Sequence, residues 1–208
     1  MALRLFLVRH AETAWNRERR YQGWTDLPLT EAGRAQAEAA ARALAEPPLA
    51  AVYSSPLQRA LATAAVIAAP HGIQTILDPS FKEMRLGQWE GLTAAEVRER
   101  HPDLHRAWAE SPHLATLPGG EPLEDVKRRV LAGLEGLREA HDGQAVCVVS
   151  HAVAIRIVVL EALGLGLDRL WSFQVSPGGI SELEFREDWT ALHRMNTLLH
   201  LGAAPAAR

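Results

Sequence analysis

The run Leu5-Phe6-Leu7-Val8 restricts the fold of this chain more than any other stretch. It is too short for a helix of ordinary length, and its branched residues suit a buried strand. The apolar character stops abruptly at Arg9-His10. A buried strand that ends in a guanidinium and an imidazole delivers both to the carboxyl edge of a sheet, where ligands bind in open α/β folds. The arginine offers a planar donor fork suited to phosphate or carboxylate. The histidine titrates near neutrality and can act as base, acid or nucleophile. The alternative is a strand that runs out into a solvated loop, and this stretch alone does not choose between the two.

The remaining sequence alternates strands with helices. Thr30 reads as the N-cap of a helix over 31–45, with Leu29 as a hydrophobic staple before it and Pro47-Pro48 after it. A strand over 50–54 leads into Ser54-Ser55-Pro56, with Pro56 suited to the first turn of a helix over 57–69. Further strands are expected over 73–77 and 145–149, the latter ending in Ser150-His151. Helices are expected over 93–100, 121–140 and 152–163, with Gly164 closing the last. Residues 11–22 and 81–91 read as loops, 170–175 as a weak strand, and 180–195 as a hairpin. The tail 202–208 reads as frayed. The pattern implies a three-layer α/β/α sandwich. At 208 residues the chain suits one domain spanning 1–208, with a lid or insertion at about 86–122.

Composition removes several classes of function. A net charge of −3 argues against general nucleic-acid binding. The single Cys147 excludes an intrachain disulfide framework and a multi-cysteine zinc site, and its apolar neighbours make it a core residue. No signal peptide and no run of membrane-spanning length is visible, so a cytoplasmic enzyme or binding protein is expected. There is no phosphate-binding Gly-x-x-x-x-Gly-Lys-Ser/Thr loop, no His-Glu-x-x-His zinc helix, and no Gly-x-Ser-x-Gly elbow around Ser150.

Among nine histidines, only His10 and His151 end a buried strand. His151 also stands at the start of a helix, where free N–H groups favour an anion. Arg59 follows the strand ending at Ser54, and Glu83 follows the strand candidate over 73–77. Two arginines, two histidines and a carboxylate suit a phosphoryl group: cations neutralise its oxygens, one histidine attacks, and a carboxylic acid protonates the leaving oxygen. Each residue has a plainer reading. Arg9 can pair with a core carboxylate, His151 can cap a helix, and Arg59 can sit on a helix surface. Glu90 rivals Glu83, and spacing does not choose between them. The other histidines read as surface or packing residues. Trp15, Trp24, Trp89 and Trp108 cover the core or wall a pocket.

The segment Arg9-His10-Ala11-Glu12-Thr13-Ala14-Trp15-Asn16 resembles the first histidine signature of the histidine phosphatase superfamily, also called phosphoglycerate mutase-like. Gln22-Gly23, Asp26-Leu27-Pro28-Leu29-Thr30 and Gly33 are similar to its next block. Ser54 to Ala60 with Thr63-Ala64 resembles its second-arginine motif, Glu83 to Gly91 its acid-bearing loop, and Ser150-His151 its second histidine. The matches run in order from Arg4 to about Arg156. Ala11 and Ala152-Val153 stand where glycines are common, and an alanine forced to positive φ there would be strained. The resemblance implies a mostly parallel central sheet. It implies that His10 is the nucleophile and forms a phosphohistidine, with its other nitrogen donating to a backbone carbonyl. Glu83 becomes the general acid and then the base for water. Arg9, Arg59 and a protonated His151 hold the phosphoryl oxygens. Asn16, Gln22, Gly23 and the Ala152 amide line the pocket. No cofactor or metal is implied. The expected partner is a small-molecule phosphomonoester, with no nucleic acid and no membrane, and a homodimer is left open.

The resemblance leaves two enzymatic branches. Glycolytic mutases carry an inserted basic segment before the second histidine, whereas here 93–117 holds Arg98, Arg100 and Arg106 without such a cluster. Leu86 to Leu92 and Pro118-Gly119-Gly120-Glu121 are more similar to the small phosphatase branch, which includes α-ribazole phosphatase. A phosphatase is expected first, a mutase second, and a noncatalytic phospho-ligand sensor third.

Overall fold

The computed structural model describes residues 2–202. Six strands form one sheet: β1 (Leu3–Arg9), β2 (Ala51–Ser54), β3 (Thr75–Leu77), β4 (Ala145–Ser150), β5 (Ile180–Phe185) and β6 (Thr190–Thr197). Their spatial order is β3-β2-β4-β1-β5-β6. The four strands from β3 to β1 are parallel, and β5 runs antiparallel to both β1 and β6. The described residues form seven α-helices: α1 (Ala14–Arg17), α2 (Glu31–Ala43), α3 (Gln58–Ala68), α4 (Ala94–Arg100), α5 (Pro102–Glu110), α6 (Leu123–Ala140) and α7 (Ala152–Ala162). This is the expected α/β sandwich with a mostly parallel sheet.

The central strands are apolar at successive positions because both of their faces are covered. On β1, Leu3, Leu5 and Leu7 join one core, while Phe6 and Val8 join the other. On β4, Val146 and Val148 go to the first core, Cys147 and Val149 to the second. The first core is closed by α6, through Val126, Val130, Leu134 and Leu137, and by α7. The second is closed by α2 and α3, which present Ala40, Ala41, Ala60, Ala64 and Ile67. Arg9 and Ser150 end β1 and β4, so His10 and His151 follow directly at the strand ends. Among the described residues no helix is long and apolar enough to cross a membrane.

Several local expectations are corrected. Residues 11–22 are not all loop, because Thr13 and Asn16 form a capping box that nucleates the single turn α1. Leu29 does not staple α2, whose N4 residue is Arg34; it packs with Ala11 and Ala37. Pro56 lies outside α3, which begins at Gln58 with Leu57 extended as its N-cap. The stretch 101–122 contains α5, with Pro102 in its first turn and Trp108 as its buried residue. Residues 170–175 form no strand: the Phe173 and Val175 carbonyls accept from arginine side chains, not from a neighbouring strand. Gly164, at φ +65°, follows the C-cap Leu163 of α7. The expected fraying of the tail concerns residues that, from 203 on, lie outside the described ones.

Candidate active site

The carboxyl ends of β1, β2 and β4 lie side by side, with Arg9 opposite Ser150 and Ser54 opposite Val149. Parallel register thus carries His10 and His151, the residues that follow β1 and β4, to the same place. Their ring centroids are 5.1 Å apart, and the residues are 2% and 0% exposed. The His10 amide donates to the Ser150 carbonyl at 2.9 Å, which locks the two strand ends together.

The His10 ring is held in one tautomer. Nδ1 lies 2.9 Å from the Ala11 carbonyl and must donate to it, while Nε2 accepts from Arg59 Nε at 3.3 Å. A ring nitrogen that accepts is unprotonated, so Nε2 carries the ring's lone pair, directed at Arg59 in the cavity wall. Burial, then the charges of Arg59 and Arg9, hold the His10 pKa well below 6.5. The neighbouring backbone is fixed by Thr63, whose Oγ1 accepts from the Ala11 amide at 3.1 Å and donates to the Arg59 carbonyl at 2.8 Å. Neither Ala11 nor Ala152 adopts positive φ, so alanine is unstrained at both positions.

His151 is the N-cap of α7 but makes no capping bond. Its Nε2 instead lies 2.8 Å from Ser55 Oγ, and its buried Nδ1 has no partner. Burial, then Arg59, His10 and Arg9, push its pKa well below 6.5. Burial first, and then these neighbouring groups, disfavour a charged His151 ring in the unliganded site, whereas the expected protonated His151 concerns the site with its phosphoryl group bound.

Both arginines are built in. Arg59 is 0% exposed and donates from Nη1 to the Thr25 carbonyl and from Nη2 to the Gly23 carbonyl, each at 2.8 Å. Burial lowers its pKa, and Glu83, Asp26 and Glu90 oppose that. Among the described residues Arg9 pairs with no carboxylate; its Nη1 donates to the Val175 carbonyl at 2.7 Å, and its buried Nε has no partner. Burial lowers the Arg9 pKa to about 10, still far above neutrality, so the charge remains. Gly23 is required where it stands. Its φ is +52°, and a Cβ there would collide with the Glu90 carboxylate.

Geometry separates the two candidate acids. Glu83 lines the cavity, 8% exposed, and accepts from the Met84 amide at 2.9 Å and the Val153 amide at 3.2 Å, at the N-terminus of α7. Glu90 does not line the cavity and ties loops together. It accepts from the Trp24, Thr25 and Leu86 amides at 3.0, 3.0 and 3.1 Å and from Thr25 Oγ1 at 2.7 Å. All of its lone-pair directions are spent on structure.

Arg9, His10, Asn16, Gln22, Gly23, Arg59, Glu83 and Ala152 all line one cavity of about 170 Å³; His151 is not among the lining residues and touches the site through the His10 ring. Thr13 Oγ1 sits within hydrogen-bonding distance of both Asn16 Oδ1 (3.1 Å) and Gln22 Oε1 (2.9 Å). The same cavity is lined by residues that the sequence did not single out: Arg20, Tyr21, Arg156 and Trp171. Only Arg156 left a readable signal, since it stands one helical turn after Ala152 on the same face. Trp24 and Lys82 are outside the cavity, stacked with the ammonium 3.3 Å from the indole centre. Trp89 is wholly buried, and Trp108 is a cavity wall.

The family model for the histidine phosphatase superfamily (branch 1) matches residues 5–198. The chain is 38% identical over 200 residues to phosphoserine phosphatase 1 of Hydrogenobacter thermophilus, covering 96% of this chain and 95% of that one. Its fold superposes on the Bacillus stearothermophilus protein YhfR with a TM-score of 0.89 at 34% identity, over 96% of this chain and 99% of the other. It superposes on an Escherichia coli protein described as a putative α-ribazole-5'-P phosphatase with a TM-score of 0.86 at 27% identity, over 95% and 97%. Paired strand-end histidines, flanking arginines and a match over nearly the whole chain agree: this protein belongs to branch 1 of the histidine phosphatase superfamily.

Proposed function

We propose that this phosphatase hydrolyses small phosphomonoesters in two steps through His10. In the first, His10 Nε2 attacks phosphorus, the bond from phosphorus to the leaving oxygen breaks, and Glu83 gives that oxygen its proton. In the second, water attacks the phosphohistidine, Glu83 takes a proton from the water, the P–N bond breaks, and inorganic phosphate leaves. Arg9 and Arg59 supply fixed positive charge to the phosphoryl oxygens, and His151 donates once the incoming anion has raised its pKa. Asn16, Gln22, Gly23 and the Ala152 amide border the phosphoryl group. The segment 86–122, which contributes Leu86 and Trp108 to the cavity, serves as the cover of a single domain. The setting proposed is the cytoplasm, which suits a chain whose one cysteine is a buried thiol.

One observation carries this reading. Two buried polar atoms at the site, Arg9 Nε and His151 Nδ1, have no protein partner beside a histidine whose Nε2 is an acceptor. Arg9 Nε is a donor in any state, and His151 Nδ1 is one when Nε2 accepts from Ser55 Oγ; buried donors are almost always satisfied, so a ligand rich in acceptor oxygens suits both. Hydrolysis is favoured over isomerisation because Arg98, Arg100 and Arg106 are exposed and none lines the cavity. With 3-phosphoglycerate and catalytic 2,3-bisphosphoglycerate, inorganic phosphate is expected to form faster than the 2-isomer. Rapid isomerisation with little phosphate would assign the mutase instead.

A further inference from the structure

Arg156 lines the cavity and, among the described residues, makes no ion pair. Arg156 stands on α7 and is 9% exposed. Its Nε donates to the Phe173 carbonyl and its Nη1 to the Ala152 carbonyl, both at 3.3 Å, and its guanidinium lies over the Trp171 ring at 5.0 Å. Trp171 is itself fixed, donating from Nε1 to the Trp108 carbonyl at 2.8 Å with the two rings edge to face. The guanidinium plane is thus preset, and among the described residues Nη2 has no hydrogen-bond partner. Arg20, the other outer arginine of the cavity, is answered by Glu18 at 2.9 Å and Glu96 at 3.2 Å.

Arg156 is also offset from the reacting centre. Arg59 and Arg9 are the cations that depress His10, and Arg156 is not among them; its charge is felt at Arg9, and it in turn feels Glu83. Arg9 and Arg59 are committed to the phosphoryl oxygens in the reading above, which leaves Arg156 as the lining arginine with neither an ion pair among the described residues nor a phosphoryl role.

We propose that Arg156, backed by Trp171, is a subsite for a carboxylate on the alcohol half of the substrate. The enzyme then selects small phosphorylated carboxylic acids over phosphorylated alcohols that lack an acid. The proposal rests on the phosphatase reading above. A planar donor fork matches a carboxylate. A carboxylate is also the smaller of the two anions that such a fork takes. A cavity of about 170 Å³ also falls below the roughly 300 Å³ at which drug-sized ligands begin to be accommodated.

The test compares kcat/KM for O-phosphoserine and O-phosphoethanolamine, which differ only by the carboxylate, with p-nitrophenyl phosphate measured alongside. The wild type is expected to prefer O-phosphoserine by about 10- to 100-fold, the worth of a charge-assisted hydrogen-bonded pair. In Arg156→Gln that ratio should collapse towards one, and Arg156→Lys, a cation without the fork, should restore only part of it. A wild-type ratio near one would overturn the subsite without any variant being needed. A ratio that stays high in Arg156→Gln, with both substrates falling together or neither falling, would overturn the assignment to Arg156. Hydrolysis of p-nitrophenyl phosphate in either case shows that the phosphatase reading survives. Failure of the wild type on all three substrates would remove that reading and this proposal with it.

Discussion

Glu83 and Glu90 share one loop, and only their surroundings give them different jobs. Glu83 keeps an oxygen at the cavity while two amides orient it; Glu90 spends four hydrogen bonds on holding residues 24, 25 and 86 together. An alkoxide leaving group must receive a proton as the P–O bond breaks, and p-nitrophenolate needs almost none. Glu83→Gln is therefore expected to lower kcat/KM for glycerol phosphate by about 10²–10⁴-fold and to affect p-nitrophenyl phosphate much less. Glu90→Gln should instead affect both substrates alike. Equal losses in Glu83→Gln, or the selective loss in Glu90→Gln, would show that the acid is misassigned. Arg9 and His10 were legible in the sequence because a strand end fixes where a side chain goes. Arg156 and Trp171 were not, because their meeting depends on the phase of α7 and on the path of an irregular segment. The neutral state of His151 was equally hidden, since it arises from burial and from cations brought together only by folding.

Among the elements, the strands and long helices were legible from period and punctuation. α1 and α5 were missed because one is a single turn set by a capping box and the other carries only one buried side chain. The loop that carries Glu83 owes its shape to α6. Arg129 donates to the Ser80, Lys82 and Glu83 carbonyls at 2.8, 2.7 and 2.9 Å and is held by both oxygens of Glu121, at 2.8 and 2.9 Å. Trp24 Nε1 holds the Glu83 carbonyl from the other side at 2.7 Å. Removing one partner of a buried ion pair costs about 3–5 kcal/mol. Arg129→Met should fall near the lower end, because the side chain retains 22% of its surface in water. It should also lower kcat more than it raises KM, since Glu83 loses its anchor. Arg129→Lys should restore little, because one ammonium cannot span three carbonyls and a carboxylate. Urea unfolding and steady-state kinetics decide this, and an unchanged midpoint would contradict it.

For the molecule as a whole, the site is a store of opposed tendencies. The fold buries two histidines among arginines, and burial followed by the Arg59 charge depresses both. In the unfolded chain each titrates near 6.5. Between that value and the lower folded value the unfolded chain binds more protons, so the depression leaves stability intact above about pH 6.5 and erodes it as the pH falls below. Urea midpoints are expected to drop between about pH 7 and pH 5.5, less steeply in His151→Gln, and inorganic phosphate should oppose the drop. A midpoint that rises as pH falls through this range would contradict the burial of neutral rings. The same neutrality keeps Nε2 of His10 unprotonated, ready to attack once Arg59 Nε turns to the phosphoryl group, and a covalent phosphoryl group on that atom is what the proposed mechanism requires. The most direct test mixes the enzyme with a phosphomonoester, quenches it in alkali within the first turnovers, and maps the modified peptide by mass spectrometry. One base-stable, acid-labile phosphoryl group on His10 is predicted, together with a fall in turnover of more than about 10³-fold in a folded His10→Ala. No phosphoryl group on His10 during steady turnover, or near-normal activity in His10→Ala, would contradict the account.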